Sequence, residues 1–157
     1  MSRIIPLKRI TPLLWFGDKA GEAMKFYMGI FRDSKIVEVM LKGNQLEAVI
    51  FRLNGQQFIA LNGSPESQFT PAVAFHVICK SQREIDTLWS KLSEGGSKGQ
   101  CGWLTDQFGV SWLIVPKALG DLMWGNNDDA QKKRVWTALA QMSKIDIKAL
   151  KRAAHQK

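Results

Sequence analysis

A chain of 157 residues with 45% hydrophobic and 23% charged residues has the make-up of one folded domain, or one domain built from two small halves. That balance excludes a disordered or fibrous chain, and no apolar run approaches the roughly 18 residues of a bilayer span. The net charge of +8 would suit a polyanion, yet Asn127 to Lys157 alone holds eight Lys or Arg against three Asp, which is +5 of the total, and no nucleic-acid motif goes with them. The excess reads as a solvated helical face, so neither nucleic acid nor membrane is an expected partner.

The opening MSRIIPLKRITPLLWF places Pro6, Lys8, Arg9 and Pro12 where a signal-peptide core would need apolar residues, so a cytoplasmic protein is expected. Cys79 and Cys101 have no CxxC spacing and read as free thiols. Arg9 to Phe16 suits a buried strand. Asp18 then offers a cap for the helix KAGEAMKFYMGIF, whose apolar face is Ala23, Phe26, Tyr27, Ile30 and Phe31. Three strands follow, Lys35 to Leu41, Leu46 to Leu53 and Gln57 to Leu61, parted by the turn signals KGN and NGQ.

The pattern then begins again. Ala72 to Cys79 reads as a strand, and Gln82 to Ser93 as a helix with the apolar face Ile85, Leu88, Trp89 and Leu92. A shift of 62 positions carries Ala23, Phe26, Tyr27 and Ile30 onto those four residues, the mark of an internal repeat. GQCGWLTD and GVSWLIVP repeat the hairpin of the first half, while the first of the three strands is shortened or missing in this copy. Two such units leave the sheet faces away from their helices to curve around a shared pocket. KALGDLMW, a helix capped by Asp128 or Asp129, and a last helix from Asp146 to His155 complete the chain; their apolar stripes need covering by the body or by a second subunit.

The segments ITPLLWFGDKAGEAMKFYMGIF, FRLNGQQFIALNG, FTPAVAFHVICKS, CGWLTDQFGVSWLIVPKAL and QMSKIDIKALKRAA resemble the PhnB-like family of the glyoxalase/bleomycin-resistance/dioxygenase superfamily, the vicinal oxygen chelate proteins. The resemblance runs from about Ile10 to Ala154. It implies an α+β fold of paired βαββ(β) modules forming an open barrel-like cup, and usually a homodimer. The expected organisation is one domain over 1–157, with modules at about 9–63 and 71–116 and a helical extension over 117–157. The family is also catalogued as 3-demethylubiquinone-9 3-methyltransferase. No Gly-rich strand-to-helix turn for S-adenosylmethionine accompanies that label, because EGGSKGQCG follows a helix and leads into a strand.

In metal-using members of the superfamily, four strands each supply one His, Gln or Glu ligand, the last lying four residues after the Gly of a DPxGxxxE-like turn. In DQFGVSWLIVP, counting four from Gly109 reaches Leu113; in the first half, counting four from Gly55 reaches Ile59. The other two positions fall near Thr11 or Pro12 and near Ala72 or Val73. Leu and Ile have no electron pair to donate, so no metal and no cofactor are expected.

The residues left for chemistry are His76 and Glu47. His76 is a general-base candidate if its side chain enters the cup, and a hydrogen-bonded structural histidine otherwise. Glu47 reads either as an inward carboxylate beside Val49 and Phe51 or as a solvated strand-end charge. Asn62 is a candidate for orienting a ligand carbonyl, or a turn former in NGSP. Trp15, Trp103 and Trp112 are expected on strands lining the cup, with core packing as the alternative for each; Trp89 belongs to a helix core, and Trp124 and Trp136 to packing or dimer contacts.

The expected function is the binding of a small apolar or aromatic molecule in a metal-free pocket. The alternatives are a metal-dependent lyase, isomerase or dioxygenase, and a protein that sequesters an antibiotic or metabolite without turnover.

Overall fold

Residues 7–156 are described by the computed structural model, in two compact units that divide between Gln68 and Phe69. The first unit runs β1 (Leu13–Trp15), α1 (Ala20–Ile30), β2 (Ser34–Lys42), β3 (Gln45–Leu53) and β4 (Gln56–Leu61). Its sheet has the order β1-β4-β3-β2, with β1 parallel to β4 and the other pairs antiparallel. β3 and β4 are joined by Asn54 and Gly55, both at positive φ (47° and 80°), the two-residue turn whose twist matches a hairpin.

The second unit holds β5 (Ala74–Cys79), α2 (Gln82–Leu92), β6 (Ser97–Lys98), β7 (Trp103–Thr105) and β8 (Ser111–Pro116), followed by α3 (Lys117–Trp124), α4 (Asp129–Ala140) and α5 (Ile147–His155). Its sheet order, β5-β8-β7-β6, repeats that of the first unit position by position, again with a parallel edge pair. The α+β class and the repeated βαβββ unit are therefore as expected. The strand that the sequence left unplaced is β6, two residues long against nine in β2. Glycines flank it: a Cβ on Gly96 would stand 2.1 Å from the Thr105 carbonyl oxygen and one on Gly99 2.9 Å from that of Trp103, so the backbone at both ends lies close against β7.

In the first unit Phe16 and Tyr27 of α1 bring their rings to 6.3 Å, which sets Leu14 and Phe16, and with them Val49, Phe51, Phe58 and Ala60, on the face that α1 covers. Phe51 and Phe58, directly opposite across the sheet, stack at 5.7 Å. Ala23 and Tyr27 of the expected helix face are buried, and so are Ala20 and Met24; Phe26 and Ile30 are half-buried at its margin. In the second unit the four expected residues Ile85, Leu88, Trp89 and Leu92 are all buried. Ser81 caps α2 by accepting from Glu84 N, while the Glu84 carboxylate reaches back past the cap to accept from Lys80 N.

The C-terminal helices pack on the second unit. Val115 at the end of β8 joins Val135, Leu139, Ile145, Leu150 and Ala154 in one apolar cluster, with Cys101 and Leu113 against it. Asp128 and Asp146 cap α4 and α5. Lys144 meets Asp86 of α2 at 2.6 Å. That donated hydrogen bond, helped by one from Gln82, holds the Asp86 carboxyl below the ordinary carboxylate range. Any stability it brings is present above the ordinary carboxylate pKa and fades as pH falls through the lowered one. Both side chains are open to solvent, which screens the pair. Trp124 and Trp136 are 89% and 58% exposed, so neither is a core residue of this chain.

One buried carboxylate organises the β7–β8 turn. Asp106, 3% exposed, accepts from Phe108 N (2.8 Å), Val110 N (3.1 Å) and the Trp112 indole Nε1 (2.8 Å). Removing it leaves three donors without their acceptor, each a cost of about 1–3 kcal/mol when buried. Asp106→Ala is accordingly expected to lower stability by at least about 3 kcal/mol, read as a reduced midpoint in chemical denaturation.

Candidate functional site

A strand's side chains alternate between faces, so register decides which residues share a surface. In the second unit β5 and β8 pair His76 with Leu113, and β7 pairs Trp103 with the same leucine. His76, Leu113 and Trp103 therefore form one row on the face away from α2, with Ile78 and Val115 in the next row but one and Ser111 on the other side. His76 and Ile78 are exposed, Trp103 is 37% exposed and Leu113 is half-buried against the C-terminal cluster.

The first unit has the equivalent row. β1 pairs Leu13 with Ile59, and β3 pairs Ile50 with Ile59, all on the face away from α1; the neighbouring row is Trp15, Leu61 and Ala48. Trp15 is 38% exposed, and its ring lies over Gly63, where an added Cβ would stand 3.0 Å from it.

In the sheets the residues beside Ile59 and Leu113 are Leu13 and His76, while Thr11 and Pro12 precede β1 and Ala72 and Val73 precede β5. Pro12 serves instead through its carbonyl, which accepts from Ile59 N at 2.9 Å. Of the four positions only His76 has an electron pair to offer a metal. Among the described residues no three His, Cys, Asp or Glu side chains gather in a group that could hold one. The donor set does not fit a metal centre of the superfamily type.

The remaining candidates have distinct surroundings. Glu47 stands at a bulge: Met40 pairs with Ala48 and Leu41 with Leu46, so Glu47 is the extra residue, and its side chain is exposed. Val49 and Phe51 lie in the helix-covered core, apart from it. Trp112 is 3% exposed, bonded to Asp106 and packed at 5.3 Å on Phe75, which places it in the core of the second unit on the side opposite Trp103.

Asn62 is occupied on both ends of its amide. Oδ1 accepts from Ala20 N at 2.8 Å, and Nδ2 donates to the Leu46 carbonyl at 2.9 Å. It thus does the capping work expected of Asp18; Lys19 holds the N-cap position of α1, and its side chain makes no cap hydrogen bond. A groove of about 540 Å³ opens beside it, lined by Gly17, Asp18, Glu22, Lys25, Gln45 and Asn62 among others.

The two thiols are free and differ in reach. Burial pushes the Cys79 thiol up to about 12, with the nearby charge of Glu84 adding to it, while Cys101 is half-buried. The reactive species is the thiolate, so Cys79 is inert at neutral pH.

Two outcomes follow for this region. Asn62→Ala deprives α1 of its cap and Leu46 of its donor, and is expected to cost about 1–3 kcal/mol in a denaturation curve. Mass spectrometry after brief iodoacetamide treatment at pH 8 is expected to find Cys101 carbamidomethylated and Cys79 unmodified.

Comparison with known proteins adds the following. The family model described as 3-demethylubiquinone-9 3-methyltransferase matches residues 8–115. A Bacillus cereus protein described as a putative 3-demethylubiquinone-9 3-methyltransferase, PhnB protein, is 34% identical, with a TM-score of 0.65; the match covers 69% of this chain and 99% of that one. A Pseudomonas aeruginosa protein of known structure is 19% identical over 70% of this chain and 98% of its own, at a TM-score of 0.61. The fosfomycin resistance protein FosX of Listeria monocytogenes is 13% identical over 70% of this chain and 93% of its own, at 0.52, a likeness of fold. No curated protein matches the chain.

Proposed function

Because the chain belongs to the PhnB-like family described as 3-demethylubiquinone-9 3-methyltransferase, within the glyoxalase or vicinal oxygen chelate superfamily, we propose that it binds a small apolar or aromatic molecule without a metal. The observation that carries this reading is the pair of rows in which Ile59 and Leu113 take the fourth place after their turn glycines. Leu13 and Ile50 flank the first, His76 and Trp103 the second. Side chains of this kind hold a ligand by apolar area and ring contact, with few polar groups to orient it.

In each unit the sheet face away from the helix is the proposed ligand-facing surface, with Trp15 as the exposed indole of the first and Trp103 of the second. Any proton transfer on the second unit's face is proposed to fall to His76, an exposed imidazole beside Leu113, and on the first unit to Glu47. Asn62 is proposed as a support for the pocket through α1. The single-domain organisation, a homodimer and a cytoplasmic location belong to the same proposal. Among the described residues no helix is long and apolar enough to cross a membrane.

Methyl transfer is not part of this reading. The strand-to-helix links, residues 16–19 and 80–81, contain one glycine between them, far from the Gly-rich turn that brings a backbone close to S-adenosylmethionine. A structure of Listeria FosX is described as complexed with Mn(II) and sulfate, which motivates the alternative of a metal enzyme. The aliphatic side chains at Leu13, Ile59 and Leu113 speak against it here.

Metal analysis of dialysed, untagged protein is expected to find far less than one transition-metal ion per chain, and a chelator to leave the melting temperature unchanged. Tightly held stoichiometric metal would return the metal enzyme to first place. Titration with 2-naphthylmethanol is expected to quench tryptophan fluorescence saturably, and Trp15→Ala or Trp103→Ala to weaken binding by about tenfold, the equivalent of 1.4 kcal/mol. Binding unaffected by both substitutions would place the ligand elsewhere.

A further inference from the structure

Arg52 of β3 and Gln57 of β4 are direct partners across the sheet, in the row that also holds Lys35 of β2. Alternation sets this row on the face away from α1, two residues along from Ile50 and Ile59. Gln57 is fully buried. Its Oε1 accepts from Lys8 N at 2.9 Å, but its Nε2 is buried and meets no acceptor among the described residues. The Arg52 Nε is buried without an acceptor in the same way. Buried donors in folded proteins are nearly always satisfied, and a guanidinium N–H left alone is among the costlier exceptions. Here two such donors stand on neighbouring strands, where directly opposed Cβ atoms are about 5 Å apart.

Two adjacent orphan donors, one of them cationic, call for an oxygen acceptor that carries charge. A carboxylate offers two oxygens in one plane, the shape that an arginine fork and a neighbouring amide can share. The rest of the face says what the carboxylate is attached to. Beyond the donor row comes Ile50–Ile59–Leu13, then Ala48–Leu61–Trp15. Residues two apart on one strand face stand about 7 Å from each other, so the strip runs about 14 Å from the guanidinium to the row of the indole. Resting on the small-molecule reading given above, we infer that the ligand is an amphiphile with an aromatic or aliphatic body and a carboxylate head, and that Arg52 and Gln57 are the residues that receive the head.

The test compares two probes of equal body, 2-naphthoate and 2-naphthylmethanol, titrated into the full chain. Raised salt is used so that the net charge of +8 does not by itself favour the anion. The wild type is expected to bind the carboxylate at least about tenfold more tightly than the alcohol. Arg52→Met is expected to bring the two within about twofold, and Gln57→Leu to reduce the preference in part. Arg52→Lys, which keeps the charge and loses the buried Nε donor, serves if the methionine variant does not fold, and is expected to lose most of the preference. Equal binding of both probes by the wild type, or a preference that survives Arg52→Met and Arg52→Lys in folded protein, overturns the carboxylate inference and leaves the apolar site standing. Failure of the wild type to bind either probe overturns both.

Discussion

The parallel pairing of each unit's first strand with its last is the constraint on which the candidate site depends. β1 against β4 sets Leu13 beside Ile59, and β5 against β8 sets His76 beside Leu113. A slip of one residue in either pair would turn every side chain to the opposite face, exchanging Trp15 for Leu14 or His76 for Val77. The surface available for chemistry is thus a product of register, and the register is secured by the burial of the helix-facing set. Cys79, Leu104, Trp112 and Ile114 in the second unit, and Val49, Phe51 and Ala60 in the first, are buried in the sheets that α2 and α1 pack on.

Polar side chains act as joints in both units, and they are few. Asp106 ties the backbone of its turn to the indole of Trp112, so the hairpin and the core are set by one carboxylate. Asn62 ties the start of α1 to the end of β4 and the start of β3. Each has its bonding capacity engaged within its own unit. Against that economy the unmatched donors of Arg52 and Gln57 stand out, because among the described residues no other buried side-chain nitrogen or oxygen lacks a partner.

The family match ends at residue 115, inside β8, so α3 to α5 lie beyond it. Their cluster continues the sheet face that holds Leu113 and Val115, and Arg134 binds the carbonyls of Ala153 and Ala154 to close α5. Leu113 is consequently half-buried by aliphatic neighbours. A side chain in that setting would pay to carry a charge unless it was paired, which suits an apolar residue at this place.

Periodicity and local chemistry were enough to determine the repeat, its shift of 62 positions, the buried face of α2, the Asn54–Gly55 hairpin, a cap for α4 at Asp128 or Asp129, and the aliphatic residues at Ile59 and Leu113. Each of these depends on residues within a turn or two of one another, where spacing in the chain is spacing in space. Only the tertiary structure decided that His76 stands beside Leu113, that Trp103 and Trp112 face opposite sides, and that the cap of α1 comes from Asn62, 42 residues away. Alternation tells which residues share a face but not which face, and a bulge such as that at Glu47 resets it without a mark in composition. Arg52 and Gln57 likewise read as ordinary strand polars in the sequence. Their burial, and the want of an acceptor beside them, exist only once the sheet has formed.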